Sequence, residues 1–301
     1  MIEIINFFAN ILSYVISPIY NFVGNYGIAV ILFTVIVKVL LIPLGIKQQK
    51  TTVKTKMVRP ELEKIQAKYK NDKEKLNEET MKLYQKYGIN PMGGCLPLLV
   101  QLPILLGLYR VIQEPITWIM RMAPSAAIEN LIESGKISAT EAVTKLTSLA
   151  EDATKVAGMT NISDIINNLG TKVTQINIAS EFDLINFNLL GLDLSKTPDI
   201  SHISLLWLVP ILATGAAFFS NWVSSKLNPM SPEQAQQMKT MNMMMPLMTA
   251  FFTFTLSAGI GVYWFASTML SVLQMYLLTK FFEKKIKPED FVSDKKGKGK
   301  K

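Results

Sequence analysis

The feature that most constrains this chain is a series of apolar runs, separated by blocks of charged and polar residues. A helix that crosses a bilayer needs roughly 20 apolar residues, and about 17 suffice where the bilayer is thin. Five runs read as such helices, at 24–46, 91–113, 204–223, 243–256 and 257–281. The last two adjoin at the short turn 257–261, so they form a tight hairpin. The expectation is an all-α membrane protein with five transmembrane helices. Residues 1–23 differ from these runs. Ile5, Phe8, Leu12, Val15 and Ile19 recur at helical spacing, and Glu3, Asn6, Asn10, Ser13 and Ser17 recur between them. That pattern predicts an amphipathic helix lying in the membrane interface. A signal peptide would have a basic start and a small-residue cleavage site. Neither is present, so the segment is read as retained.

Charge placement predicts the orientation. Residues 47–90 carry 12 Lys/Arg against 6 Asp/Glu, and residues 280–301 carry 9 lysines. The long connection 114–203 carries 6 Lys/Arg against 11 Asp/Glu. Basic segments beside spans stay in the cytoplasm, which puts the N-terminus outside and the C-terminus inside. An odd number of spans agrees with that. Residues 47–90 read as a cytoplasmic helical hairpin, with polar helices near 61–70 and 72–87 and breakpoints at Pro60 and Asn71-Asp72. The connection 114–203 is an extracytoplasmic loop with helical stretches near 138–157 and 161–169. Residues 224–242 are a cytoplasmic loop, and 282–301 a basic cytoplasmic tail, expected to be disordered.

The chain has one cysteine, Cys95, and one histidine, His202. An internal disulfide and a four-ligand Cys/His metal site are therefore excluded. The spans hold no Ser/His or Asp-pair arrangement for hydrolysis, so no catalytic residue, metal or cofactor is assigned and the chain is not read as an enzyme. The triplet Asn161-Ile162-Ser163 matches a glycosylation acceptor, a pattern common by chance.

Lys38 is the sharpest candidate. It sits within 24–46, in Ile36-Val37-Lys38-Val39-Leu40, and no span contains an Asp or Glu. A lysine near a helix centre costs about 2.5–3.5 kcal/mol on insertion scales. It either snorkels to the headgroups or faces a hydrated cavity, where its counter-charge is water, lipid or a visiting ligand. Thr34, one turn away on the same face, favours the cavity. Trp264, Ser267, Ser271 and Gln274 fall along one stripe of span five, and Gln101, Thr249 and Thr253 add polar groups in spans two and four. Each alone is an ordinary interhelical hydrogen-bonding residue. Together with Lys38 they outline an amphiphilic groove. Met238, Met241, Met243, Met244, Met245 and Met248 cluster at the start of span four. Flexible thioethers suit varied apolar partners, though they serve equally as lipid-facing or core filler. The Lys-rich tail suits anionic lipid or ribosomal RNA alike.

The run Asn90-Pro91-Met92-Gly93-Gly94-Cys95-Leu96-Pro97-Leu98-Leu99-Val100-Gln101-Leu102-Pro103-Ile104 strongly resembles the YidC/Oxa/Alb insertase family. Met230-Ser231-Pro232, Met245-Pro246 and Ser257-Ala258-Gly259-Ile260-Gly261-Val262-Tyr263-Trp264 agree, as does Ile36-Val37-Lys38 followed by Pro43-Leu44. The resemblance covers about 20–112 and 204–283. It implies a hydrophilic groove open to the cytoplasm and to lipid, with Lys38 as its cation and Thr34, Gln101, Tyr263, Trp264, Ser267 and Ser271 lining it. Relatives mostly carry arginine where this chain has Lys38; lysine keeps the charge and loses the planar fork. The resemblance also implies a bacterial multi-pass membrane protein without the large extracytoplasmic domain of some members. Its implied partners are nascent membrane proteins, the ribosome, the Sec translocon and membrane lipids, with no DNA. The expected function is membrane protein insertion. The alternative is a small transporter or channel, which would show a sealed site and often inverted repeats.

Overall fold

The computed structural model describes residues 2–70, 72–89, 96–170, 173–227 and 232–285. The motif residues 90–95 with Cys95, the loop residues 228–231 and the tail from 286 lie outside that set. Almost every described element is a helix. In chain order they are α1 (Ile2–Val23), α2 (Tyr26–Leu40), α3 (Ile42–Lys68), α4 (Lys73–Lys86), α5 (Leu96–Gln113), α6 (Pro115–Trp118) and α7 (Pro124–Glu133). There follow α8 (Ala139–Leu149), α9 (Ala153–Val156), α10 (Ile162–Asn168), α11 (Gln175–Glu181), α12 (Leu208–Leu227), α13 (Pro232–Thr255) and α14 (Ala258–Lys285). Between α11 and α12 lies a small antiparallel hairpin, β1 (Asn188–Leu189) and β2 (Leu192–Asp193), pairing Asn188 with Asp193 and Leu189 with Leu192.

Among the described residues, three helices are long and apolar enough to cross a membrane: Glu3–Val23, Leu205–Leu227 and Ala258–Lys285. The pair α2 and α3, bent by 59°, makes a fourth if taken as one broken span. α5 and α13, read as spans two and four, are not among these; both adjoin residues outside the described set. α1 has the length to cross, about 33 Å at 1.5 Å per residue, so length alone does not separate an interfacial from a spanning placement.

The chain forms two compact units. The first comprises the described parts of Met1–Thr34, Leu102–Pro210 and Phe252–Trp264. In it α1 turns Ala9, Leu12, Ser13 and Ile16 inward and leaves Ile4, Phe7, Ile11 and Tyr14 exposed. Two of the five polar positions expected on an exposed stripe, Ser13 and Ser17, are thus buried. Ser13 stays satisfied by donating to the Asn10 carbonyl at 2.7 Å. α5 comes backbone-close to α1 at Gly107, where a Cβ would lie 2.8 Å from Phe8 Cβ.

The connection 114–203 is more ordered than its polar composition predicts. α10 packs on α7 and α8, and α11 on α6 and α8. Ile128, Leu146, Ile165 and Leu169 are fully buried among these short helices. Local caps begin them: Ser138 accepts from Glu141 N, and Asn161 from Asp164 N. The triplet at 161 therefore spends its asparagine side chain on an N-cap.

The second unit comprises the described parts of Val35–Gln101, Ile211–Phe251 and Phe265–Lys301. Here the helix ends depart from the sequence reading at two prolines. The span read over 24–46 ends as a helix at Leu40, and α3 starts at Ile42 on a new axis. Pro43, in the first turn of α3, has no N–H to continue the ladder of α2, which forces the break there. Conversely, Pro60 does not break its helix. α3 runs through it to Lys68, with the buried Val58 and Leu62 on either side. α4 starts at an Asp72 N-cap, with its side chain accepting from Lys75 N at 3.1 Å. α13 also starts earlier than the span expected at 243–256, at Pro232, the proline that favours a first helical turn.

Candidate polar groove

The second unit brings Lys38 to α14. Lys38 lies in the last turn of α2 and is half-buried. Its Nζ donates to Ser271 Oγ at 2.7 Å, and Ser271 Oγ in turn donates to the Ser267 carbonyl at 2.8 Å. Ser271 thus uses its proton on its own helix and offers a lone pair to the cation. Ser267, one turn earlier, is buried. No carboxylate among the described residues pairs with Lys38. An ammonium has three donors, so two N–H bonds lack a described protein acceptor. A cation with spare donors, set in an apolar helix and steadied by one hydroxyl, is suited to receive an acceptor from outside the fold.

Below Lys38 the same two helices stay paired. At Gly45 a side chain would run into the Gln274 amide, so the glycine lets α3 approach α14. Gln49 Nε2 donates to Thr279 Oγ1 at 2.6 Å, and Thr279 donates to the Met275 carbonyl at 2.7 Å. Val53 and Phe282 bury each other, flanked by Met57 and Leu278. Lys56 closes the row on Glu283 at 2.6 Å. Sequence reasoning placed Gln274 on the polar stripe and missed Gln49, Thr279 and Glu283. The Gln49–Thr279 partners are 230 residues apart, and no local pattern marks them.

The other expected groove residues fall in different surroundings. Thr34, Tyr263 and Trp264 belong to the first unit. Thr34 is buried and turns its hydroxyl back to the Val30 carbonyl at 2.6 Å. Tyr263 is buried, and Trp264 stacks on Phe252 with ring centroids 6.0 Å apart. Gln101 falls within α5, and its side chain lies outside the described residues. Among the described side chains, Lys38, Ser267 and Ser271 of the expected set come together in one hydrogen-bonded row.

The first unit also holds a dense junction that the sequence did not disclose. The segment 186–196 bonds to both neighbours through backbone: Tyr26 N to Asn186 O at 2.9 Å, Ala258 N to Lys196 O at 2.8 Å and Gly259 N to Leu194 O at 3.0 Å. Tyr26 is buried against Phe187, with ring centroids 4.9 Å apart. Gly27 and Gly259 leave room for Leu189 and for the Tyr26 ring. A cavity of about 720 Å³ opens beside this segment, among Glu181, Asp193, Lys196, Asp199 and His202. It includes none of the expected groove residues.

A family model described as the 60Kd inner membrane protein matches residues 18–285. The chain belongs to the 60Kd inner membrane protein family. Family membership and the long apolar helices together make it an all-α membrane protein. Among similar proteins, one from Fusobacterium nucleatum is named membrane protein insertase YidC. It is 46% identical over 116 residues, 38% of this chain and 57% of the relative. A protein of the same name from Anaeromyxobacter is 48% identical over 120 residues, 38% of this chain and 22% of the relative. One from Rickettsia africae, also so named, is 31% identical over 269 residues, 89% of this chain and 38% of the relative. The chain thus spans well under two thirds of these family relatives' lengths. The match over 18–285 takes in Lys38, Gln49, Ser267, Ser271, Thr279 and Glu283.

Proposed function

We propose that the chain is a membrane protein insertase of the bacterial cell membrane. It has five spans, an outer N-terminus, an inner C-terminus, α1 in the interface and α3–α4 as the cytoplasmic hairpin. The observation that carries the reading is Lys38, a cation in an apolar helix, bonded to Ser271 and without a described carboxylate partner. The names of the relatives support the same activity. In this mechanism the protein performs no covalent chemistry. A polar groove holding Lys38, Ser267, Ser271 and Gln101 lowers the cost of drawing a hydrophilic segment partway across the bilayer. Lys38 attracts acidic residues of that segment, and its apolar remainder partitions into lipid. Substrates are nascent membrane proteins with few spans, delivered by the ribosome alone or with the Sec translocon.

The test is insertion of paired substrates, one with acidic translocated residues and one neutralised, by protein reconstituted in liposomes. Lys38→Arg is expected to retain insertion, Lys38→Ala to impair the acidic substrate, and Lys38→Glu to impair it most. At 4 Å a charge pair is worth about 1 kcal/mol in water and about 4 kcal/mol at an effective dielectric of 20, so losses from several-fold to several-hundred-fold bracket the expectation. If Lys38→Glu handles the acidic substrate as well as the parent does, the electrostatic mechanism is wrong. Depletion in the source cell followed by membrane proteomics separates the rivals. Loss of few-span membrane proteins supports insertion; loss of one solute's uptake supports a small transporter or channel.

A further inference from the structure

The hairpin β1–β2 turns through two residues, Leu190 and Gly191, and both have left-handed backbone, with φ of 53° and 82°. Two-residue turns of this kind favour Asn, Asp or Gly, because a Cβ in the left-handed region crowds the neighbouring carbonyl. A leucine there is disfavoured by the backbone. It is also disfavoured by water, since Leu190 is 92% exposed. Two independent penalties at one residue call for a compensating environment.

Where the hairpin sits identifies that environment. Asn25 Nδ2 donates to the Asn188 carbonyl at 2.7 Å, and a Cβ at Gly27 would lie 2.8 Å from Leu189 Cδ2. The hairpin therefore lies beside the first turn of α2, level with it. Leu194 and Lys196 accept from the first residues of α14, an apolar helix long enough to cross a membrane. Seven residues beyond Lys196 the chain reaches Ile203, 85% exposed, and then Leu205, also exposed, at the start of another such helix. Phe22, two residues before the turn into α2, and Ile200 are exposed as well. Phe22, Ile200, Ile203 and Leu205 are exposed and lie close in sequence to the ends of apolar helices.

We infer that Leu190 is a membrane anchor, which with Phe22, Ile200, Ile203 and Leu205 enters the interfacial layer of the leaflet at this end of the first unit. The occupant of the patch is phospholipid. The anchor holds the helical connection 114–203 flush against the bilayer, and it does so whichever side of the membrane that end faces and whatever the protein's substrate.

The experiment uses the full chain in liposomes of phosphatidylethanolamine and phosphatidylglycerol, with Cys95 replaced by serine and an environment-sensitive fluorophore on Leu190→Cys. Lys136→Cys, on an exposed polar stretch of the same connection, is the reference. The expected result is blue-shifted emission at 190, quenched several-fold more by spin-labelled lipid than by aqueous iodide, with the reverse at 136. Iodide quenching at 190 equal to that at 136 overturns the inference. So does protection from both quenchers, which would mean that protein covers the tip. A second arm places the fluorophore at Ile203→Cys and adds Leu190→Asn, a residue the turn's backbone accepts. Iodide access at 203 is expected to rise; unchanged access overturns a shared anchor, because a turn residue without lipid contact would leave that site as it was.

Discussion

Around residues 186–196 the fastening groups are backbone amides, carbonyls and glycines packed against buried rings, whereas along α3 and α14 they are side chains meeting in a polar row. The first kind of junction leaves little slack. Its hydrogen bonds are built into the chain direction, and Gly259 faces the buried ring of Tyr26 with no flexible group between them. The second kind can part and re-form. Its rungs are Lys38 on Ser271, Gln49 on Thr279 and Lys56 on Glu283, with the Val53–Phe282 contact as its apolar part. A membrane protein that must hold one region and release another is served by both designs. The contrast says which of its helix contacts are fixed and which are exchangeable.

The largest effect should come from crowding the tight junction. A Cβ at Gly259 would stand 2.7 Å from Tyr26 Cε1. Gly259→Ala is expected to cost about 1–3 kcal/mol, the range for overpacked cores, read as a lowered thermal midpoint in detergent. Gly45→Ala meets the end of the flexible Gln274 side chain and should lower the midpoint far less. Equal shifts in the two variants would dissolve the contrast. Next in size is Gln49→Ala, which leaves the buried Thr279 hydroxyl without its donor. With the bond from Thr279 to the Met275 carbonyl kept, it should cost about 0.5–1.5 kcal/mol, the net worth of one hydrogen bond, and should speed hydrogen exchange in α3 while leaving 186–196 unchanged. Lys56→Ala is expected to be smaller still, about 0–1 kcal/mol as for exposed ion pairs. Its effect on α3 exchange should vanish in high salt; persistence there would mark the pair as more than a surface contact.

The smallest expected effect concerns pH. The Tyr87 hydroxyl donates to Glu61, and with Lys86 nearby it holds that carboxyl below its usual value. A depressed carboxylate contributes stability that is fully present above its ordinary pKa and lost as pH falls through the depressed one. Pairing of α3 with α4 should therefore be constant near neutrality and weaken in acid. Glu61→Gln should flatten that dependence, as read by proteolysis of the hairpin across pH.

What was legible in the sequence follows from locality. Lys38 stood out because a charge in an apolar run needs an explanation, and Ser267 and Ser271 because they share a helix stripe with each other. Helical stretches were expected near 138–157 and 161–169, and the first is divided into α8 and α9. The Gln49–Thr279 rung and the seat of Tyr26 were not legible, since each joins residues far apart in the chain whose own neighbourhoods look ordinary. Pro43 and Pro60 make the same point in opposite directions. A proline ends a helix where nothing beyond it restores the axis, and is carried within one at Pro60, with the buried Val58 and Leu62 on either side.

The break at Leu41 also has a mechanical meaning. α3 is an unbroken rod of 27 residues, about 40 Å long at 1.5 Å per residue, pivoted at one end. A swing of about 10° at Leu41, on that helix geometry, carries the Lys68 end through about 7 Å. Lys56 lies roughly halfway along this rod, and its ion pair with Glu283 would resist such a swing. A sub-ångström slip near the pivot is read out as a displacement of side-chain size at the tip.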